Sequence, residues 1–442
     1  MRLFCEYRLA LSICLITMQS KIKDHIIKPI RRAAHYYCAW RIPFQKRRYA
    51  SVLERVKSDG QCKVLFIASS LPMWRYHDVI RLLMDDPRFV VKVAIIPFKA
   101  FLNEDKQRDI DELKRYFAAS GIDYEVVIDN YKSFKQEFHP DMIVYPQPYN
   151  WSYDDDRVNW RRNTDCLLMH TPYSVPLTEF EWYINIQFHN AAWKFYIASD
   201  IHQDVSRRIA YNRGENTVVV GELKSDQLTA PAQSNPLKEI ADGKERKKLI
   251  WAPHFSVTSY DMFDRPDFNW SYKVMRDIAE QYADRLQIAF KPHPRLKSEL
   301  YKNPEWGKER TDEFYSFWEN SPTTQLETGD YIDLFKTSDA LVHNCGSFTA
   351  EYLYMQKPTA YITRNLDAIK ADMNAFGVAC QDAHYIVASP EEIRRFIDDV
   401  VLAAKDPMKS QREDLTNTIL RAPNGSTVAE NIYNDLVKSL FG

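Results

Sequence analysis

The chain has 442 residues, more than one ordinary hydrophobic core organises, so two domains of about 200 residues each are expected. Its 45% hydrophobic and 27% charged residues describe a globular protein, and seven scattered cysteines with no CxxC pair argue against a zinc ribbon or a disulfide framework and fit a reducing cytoplasm. The net charge of −1 hides an asymmetry: residues 1–60 carry 13 Lys and Arg against 4 Asp and Glu, and the rest carry 46 against 56.

The basic excess therefore belongs to an N-terminal arm, residues 1–58. Residues 9–18, LALSICLITM, form an apolar run half as long as the roughly twenty residues a membrane-spanning helix needs. The run lacks a small-residue cleavage site and is not read as a signal peptide, and a start of translation at Met18 stays open. Residues 21–48 mix cations with Ile26, Ile27, Trp40 and Phe44, the composition of a segment on an anionic membrane surface. No nucleic-acid module follows it. The expected location is peripheral, on the cytoplasmic face of the membrane; the plainer alternative is a helix packed on the first domain with its cations solvated.

From residue 59 to 232 short β-branched runs alternate with polar helical stretches. KVLFIAS, VVKVAIIP, YEVVID, DMIVYPQ, CLLMH, KFYIAS and NTVVVG are predicted strands, mostly too continuously apolar to have a wet face, which indicates a parallel sheet. Asp154, Asp155 and Asp156 lie in a tryptophan-flanked loop and are read as solvated rather than metal-binding; Trp151, Trp160 and Trp182 are read as core. The polar, proline-containing stretch 224–248 reads as an inter-domain connection. The rhythm restarts in the second domain, 233–442, with KLIWAP, LQIAFK, DALVHN, PTAYIT and HYIVAS and with helices near 272–283 and 390–404. The fold class is α/β, two Rossmann-like domains facing a cleft in the GT-B manner, with the basic arm ahead of them.

In open parallel sheets ligands bind at the carboxyl ends of the strands, so polar residues there are the candidates. His170 ends CLLMH and is followed by Thr171; His254 follows KLIWAP. FKPHPRLK breaks a strand with Pro292 and Pro294 and holds His293 among Lys291, Arg295 and Lys297, a cluster suited to an anion. In VHNCGSFTAE, a strand passes through Asn344, Gly346 and Ser347 into a helix; free backbone amides with the hydroxyls of Ser347 and Thr349 make a phosphate site, the alternative being a capped helix. There is no GxGxxG after the first strand and no P-loop, so no dinucleotide cofactor or metal is expected.

HNCGSFTAEYLYMQKPTAY resembles the Asp-Tyr-Ser-Ser segment, with its following acidic residue, Tyr and Lys-Pro, of the CDP-glycerol glycerophosphotransferases that build teichoic-acid-type polymers. Ser347, Glu351, Tyr352, Lys357 and Pro358 match it, whereas Asn344 and Gly346 depart from the family's Asp and first Ser. KPHPR is similar to the family's Lys-x-His-Pro, VGELKSDQL to its Gly-x-x-x-x-Asp at Gly221 and Asp226, and MHTPYSVPL to its His-Gly-Thr-Pro without the glycine. The resemblance covers about residues 165–365. It implies a donor of the CDP-glycerol or related CDP-polyol class and a lipid-linked glycan or polymer acceptor. His170 is then the general base. His293 would share the donor phosphates with Lys291, Arg295, Gly346, Ser347 and Thr349, while Thr171, Asp226, His254, Asn344 and Glu351 line the cleft. Two other readings stay open: a GT-B glycosyltransferase using a nucleotide sugar in capsule or lipopolysaccharide synthesis, and a non-catalytic assembly protein on the same fold.

Overall fold

The computed structural model describes residues 42–99, 103–149, 153, 155–257 and 267–442. The predicted apolar runs form two wholly parallel sheets. The first holds β1 (Cys62–Ala68), β2 (Phe89–Ile95), β3 (Tyr124–Val126), β4 (Met142–Tyr145), β5 (Leu167–His170), β6 (Lys194–Ile197) and β7 (Thr217–Val219) in the order β3-β2-β1-β4-β5-β6-β7. The second holds β8 (Lys247–Ala252), β9 (Leu286–Phe290), β10 (Thr324–Leu326), β11 (Ala340–His343), β12 (Thr359–Ile362) and β13 (Tyr385–Val387) in the order β10-β9-β8-β11-β12-β13. Each sheet reverses its winding once, between β1 and β4 and between β8 and β11, and a crevice opens above such a switch.

Helices cover both faces, so the strands need no polar side. Leu65, Phe66 and Ile67 of β1 and Leu249, Ile250 and Trp251 of β8 have no exposed surface. In the second unit Trp251 stacks on Phe290 and meets Trp318, with Phe268 and Phe314 closing an aromatic core. Most of the aromatic-rich composition is spent in this way.

Two segments outside the strand–helix alternation pack on the first unit. Residues 42–59 form a helix whose Tyr49, Val52 and Val56 join the first unit's core. Its Gln45 side chain donates to Thr164 O at 3.1 Å, and Phe44 remains 52% exposed. This end of the basic arm packs on the first unit as a helix, with Lys46 paired to Glu215 and Arg48 bonded to Thr164 rather than simply solvated; residues 1–41, with Trp40 and the apolar run, lie outside the described residues, as do Trp151 and Asp154. At the other terminus, helix Val428–Phe441 follows the second sheet in sequence but buries Val428, Ile432, Leu436 and Leu440 against the first. Among the described residues no helix is long and apolar enough to cross a membrane.

Candidate active site

The turns after β8, β9 and β11 are tied to one another, and that brings the second unit's polar candidates together. Pairing of β8 with β9 continues past the strand ends: Lys291 N donates to Trp251 O at 2.8 Å and His293 N to Pro253 O at 3.0 Å. The rings of His254 and His293 consequently lie 5.3 Å apart. Asn344, at the exit of β11, accepts from His254 N at 2.7 Å through its Oδ1. His254, His293, Asn344 and the Gly346–Ser347 turn thus share the crevice at the β8/β11 switch.

Within that crevice His293 is a neutral donor. Burial, then the cations of Arg295 and Lys291, pull its pKa down to about 4. Its Nδ1 accepts from Arg295 N at 3.1 Å, so the ring proton sits on Nε2. The turn beside it supplies more donors. The amides of Gly346, Ser347 and Phe348 have no acceptor among the described residues, and Ser347 makes no capping bond to helix Phe348–Glu351. The capped-helix alternative for Ser347 is therefore not what the geometry displays. Open space surrounds the position a Cβ on Gly346 would take.

Several expected contacts have other partners. Thr349 is fully buried and its hydroxyl donates back to Cys345 O at 3.1 Å, away from any phosphate. Lys291 is 7% exposed and its Nζ donates to Gly329 O at 2.7 Å, with burial lowering its pKa. Arg295 is exposed, bonds Glu299 at 3.1 Å and lies over the Phe255 ring. Asp226 accepts from Val428 N and Ala429 N at 3.0 and 2.9 Å, so it caps the last helix. Gly221 beside it has φ +105°, and a Cβ there would stand 2.7 Å from Val428 Cγ2. These residues build the cleft's frame.

Across the domain line, His170 ends β5. Its Nδ1–H donates to Tyr145 O at 2.8 Å, which leaves the lone pair on Nε2. The ring is 1% exposed and packs beside the stacked His189–Phe195 pair, 5.4 and 5.7 Å from their centroids, and burial lowers its pKa to about 4. Thr171 follows with a buried hydroxyl that has no hydrogen-bond partner among the described residues.

Sequence reasoning missed a buried charge network where the units meet. Arg75, in the turn after β1, donates to Glu222 Oε1 at 3.3 Å; both side chains are 6% exposed. Lys224 Nζ bonds Tyr331 OH and lies 3.9 Å from Glu351, and Tyr331 OH bonds Glu351 in turn. Burial raises the Glu222 carboxyl to about 7 and lowers the Lys224 ammonium to about 8. The available signal was position: Arg75, Glu222 and Lys224 all follow carboxyl ends of strands in the first sheet. Glu351, expected in the cleft, joins this network.

No protein-family model matches the chain, and no curated protein matches it. Solved structures share its fold. S. aureus MnaA, in a co-structure with UDP, is 13% identical, with 86% of this chain and 97% of that one covered at a TM-score of 0.55. The wall teichoic acid polymerase TagF, as a His-to-Asn variant soaked with CDPG, is 12% identical, with 94% and 98% covered at 0.55. A UDP-N-acetylglucosamine 2-epimerase is 12% identical, with 86% and 96% covered at 0.52. The chain has the GT-B arrangement of two parallel α/β units that these structures share.

Proposed function

We propose that the chain is a GT-B-type transferase that moves glycerol phosphate, or a related polyol phosphate, from a CDP-linked donor to a hydroxyl of a membrane-linked glycan or polymer. The observation that carries this is the donor set at the β8/β11 switch: a neutral His293 with its proton on Nε2, beside the unpaired amides of Gly346–Phe348 and the uncommitted Ser347 hydroxyl. The order of the sequence segments that resemble CDP-glycerol glycerophosphotransferases supports the choice of donor.

In the proposed reaction the acceptor oxygen attacks the β-phosphorus, a new P–O bond forms, and the P–O bond to CMP breaks. Catalysis is then positioning and charge stabilisation. The amides and His293 Nε2–H meet the negative charge that grows on the leaving CMP oxygen and the transferring phosphoryl group. His170 takes the acceptor proton on Nε2. It is unprotonated at neutral pH because burial lowers its pKa, and the phosphate charge offsets the imidazolium that forms. The basic arm is proposed to keep the enzyme on the cytoplasmic face of the membrane, beside a lipid-linked acceptor.

Purified protein incubated with CDP-glycerol, CDP-ribitol and a panel of UDP-sugars, together with membrane extract, should release CMP. Release of UDP or UMP instead would replace the donor by a nucleotide sugar; no release with His293 intact would sink the enzyme reading. Sedimentation with anionic vesicles tests the arm. A chain shortened to begin at Ile42 keeps the packed 42–59 helix and should lose binding that the full chain shows; equal pelleting would remove the arm as anchor.

A further inference from the structure

Arg75 brings a fixed positive charge to the domain line and meets too little negative charge there. Among the described residues its buried Nε has no partner, and its single ion-pair contact, Nη1 to Glu222, is long for such a pair at 3.3 Å. The Tyr173 ring face lies 5.8 Å from the guanidinium carbon, a weak cation–π contact that does not neutralise the charge. Burial holds Glu222 near 7, so the partner carboxyl carries only part of a charge at neutral pH, while a guanidinium stays fully charged. Lys224 adds a second cation whose nearest carboxylate is Glu351, at 3.9 Å. A buried, under-neutralised guanidinium with a spare N–H has capacity for a further anion.

We infer that Arg75 is the first unit's ligand for a phosphate group in the cleft, so that a phosphoryl group is gripped from both sides, by His293 and the Gly346–Phe348 amides on one and by Arg75 on the other. This rests on the transferase reading above for the identity of the phosphate, which belongs either to the donor diphosphate or to a phosphodiester of the acceptor. The free carboxylate of Glu222 competes with that phosphate for Arg75. Protonating Glu222 frees the guanidinium, so anion binding tightens as pH falls through about 7.

The groups that face Glu222 are Arg75, Lys224, Glu351, Tyr354 and Tyr183. Burial raises both tyrosines well above 10, so they stay neutral. Lys224, lowered to about 8, gains its charge at higher pH than Glu222 loses its own. His293, near 4, is silent across this range. Tightening between about pH 7.5 and 6 therefore belongs to Glu222, and any centred near 8 to Lys224.

Calorimetric titration tests this with three probes whose charge is constant from about pH 6 to 8: sulfate, CDP-glycerol and glycerophosphoglycerol. Arg75→Gln should weaken sulfate about tenfold or more, the loss of a charge-assisted contact. An equal loss for CDP-glycerol alone assigns the donor phosphate, and for glycerophosphoglycerol alone the acceptor diester. Glu222→Gln keeps the volume and the guanidinium; it should bind sulfate as tightly at about pH 7.5 as the parent does at about pH 6 and lose the dependence between them. A folded Arg75→Gln that binds all three probes like the parent overturns the site, and so does a Glu222→Gln that keeps the parent's pH dependence; the latter decides if Arg75→Gln fails to fold. Sulfate binding that Arg75→Gln abolishes, in a protein that neither binds CDP-glycerol nor releases CMP, keeps the anion site and discards the donor. Unchanged sulfate binding in Arg75→Gln with CMP release intact does the reverse.

Discussion

Gly377→Ala should unfasten a strap that joins the two units just past His170. Thr178 and Met373 form an antiparallel bridge, Glu179 N donates to Asp372 O at 3.2 Å, Asn374 N to Leu177 O at 2.9 Å and Asn374 Nδ2 to Pro176 O at 2.8 Å. The helix that begins at Ala375 presses so closely on this strap that a Cβ at Gly377 would stand 2.2 Å from Leu177 O. The obstacle is backbone and cannot rotate away, so the carbonyl must retreat by about 1 Å, enough to spoil the bond from Asn374 N. Overpacking costs about 1–3 kcal/mol and each lost bond about 1, so a total of about 2–4 kcal/mol is expected. Urea unfolding would read the lower midpoint, and steady-state kinetics should show the acceptor KM rising more than the donor KM, because the strap continues from His170 and Thr171. Gly329→Ala, with nothing within 4 Å of its Cβ position, is the control and should change little. An unshifted midpoint and unchanged kinetics in Gly377→Ala would refute the strap's role.

His293→Ala should weaken donor turnover by about 2–4 kcal/mol in kcat/KM, as loss of a donor to developing phosphate charge does; unaltered donor kinetics would remove it from the site. His170→Gln should depress kcat far more than it raises the donor KM, and equal activity at saturating substrate would make His170 structural. Asp226→Asn replaces the carboxylate that accepts from Val428 N and Ala429 N and should cost about 1–2 kcal/mol of stability in urea with the donor KM unchanged; a normal midpoint would show the last helix docks without this cap. Acid should destabilise the fold from about pH 6.5 downward. His170, His202 and His384 are lowered by burial from 6.5 to about 4, and His189 and His343 well below 6.5. The unfolded chain therefore takes up protons first, and stability present above 6.5 is lost toward 4, on the order of 3 kcal/mol for each fully buried ring. Glu222, raised from 4.5 to about 7, and Asp226, also raised by burial, work in the opposite sense but are outnumbered by these rings and His293, itself lowered to about 4. Urea midpoints that stay level between about pH 7 and pH 5 would contradict the burial of these histidines.

The sheet strands were legible because a parallel strand covered on both faces is mostly apolar, and β1, β2, β8 and β9 are such runs with only Lys63, Lys92, Lys247, Lys248 and Gln287 interrupting or leading them. The strand missed was β10, three residues of Thr, Gln and Leu at the sheet's edge, where one neighbour suffices and no apolar run is required. The π-turns of Phe396–Leu402 continue the helix expected at 390–404 without a sequence signal of their own. The return of the last helix to the first unit left no mark in its own pattern either, since an amphipathic stripe does not say which core it will cover. In the site, proline and glycine punctuation found the turns at His293 and Gly346. It did not find the direction of a side chain: Thr349 looks inward and Lys291 reaches for a carbonyl, outcomes set by neighbours distant in sequence.

That distinction also explains why the segments resembling a known transferase family hold so many residues that never reach the crevice. Lys357 donates to Lys336 O and Ser338 O, both at 2.6 Å, and so closes the carboxyl end of helix Ile332–Thr337. Tyr352 shares a hydrogen bond with Ser338 Oγ at 2.9 Å, and Thr349 holds the first turn to Cys345 O. Together these bonds fix the helix after β11 at both ends, and the Gly346–Phe348 amides can point at a ligand only if that helix cannot roll. Gly221 and Asp226 do the same for the last helix, which crosses back from the second sheet to pack on the first unit. The proposed donor-phosphate site, built from backbone amides, one hydroxyl and one neutral imidazole, has little side-chain chemistry to vary, so its demands on the sequence fall mainly on the residues that immobilise the backbone. Arg75 is the exception: in the proposed site its charge acts directly, with Glu222 and the Tyr173 ring against it.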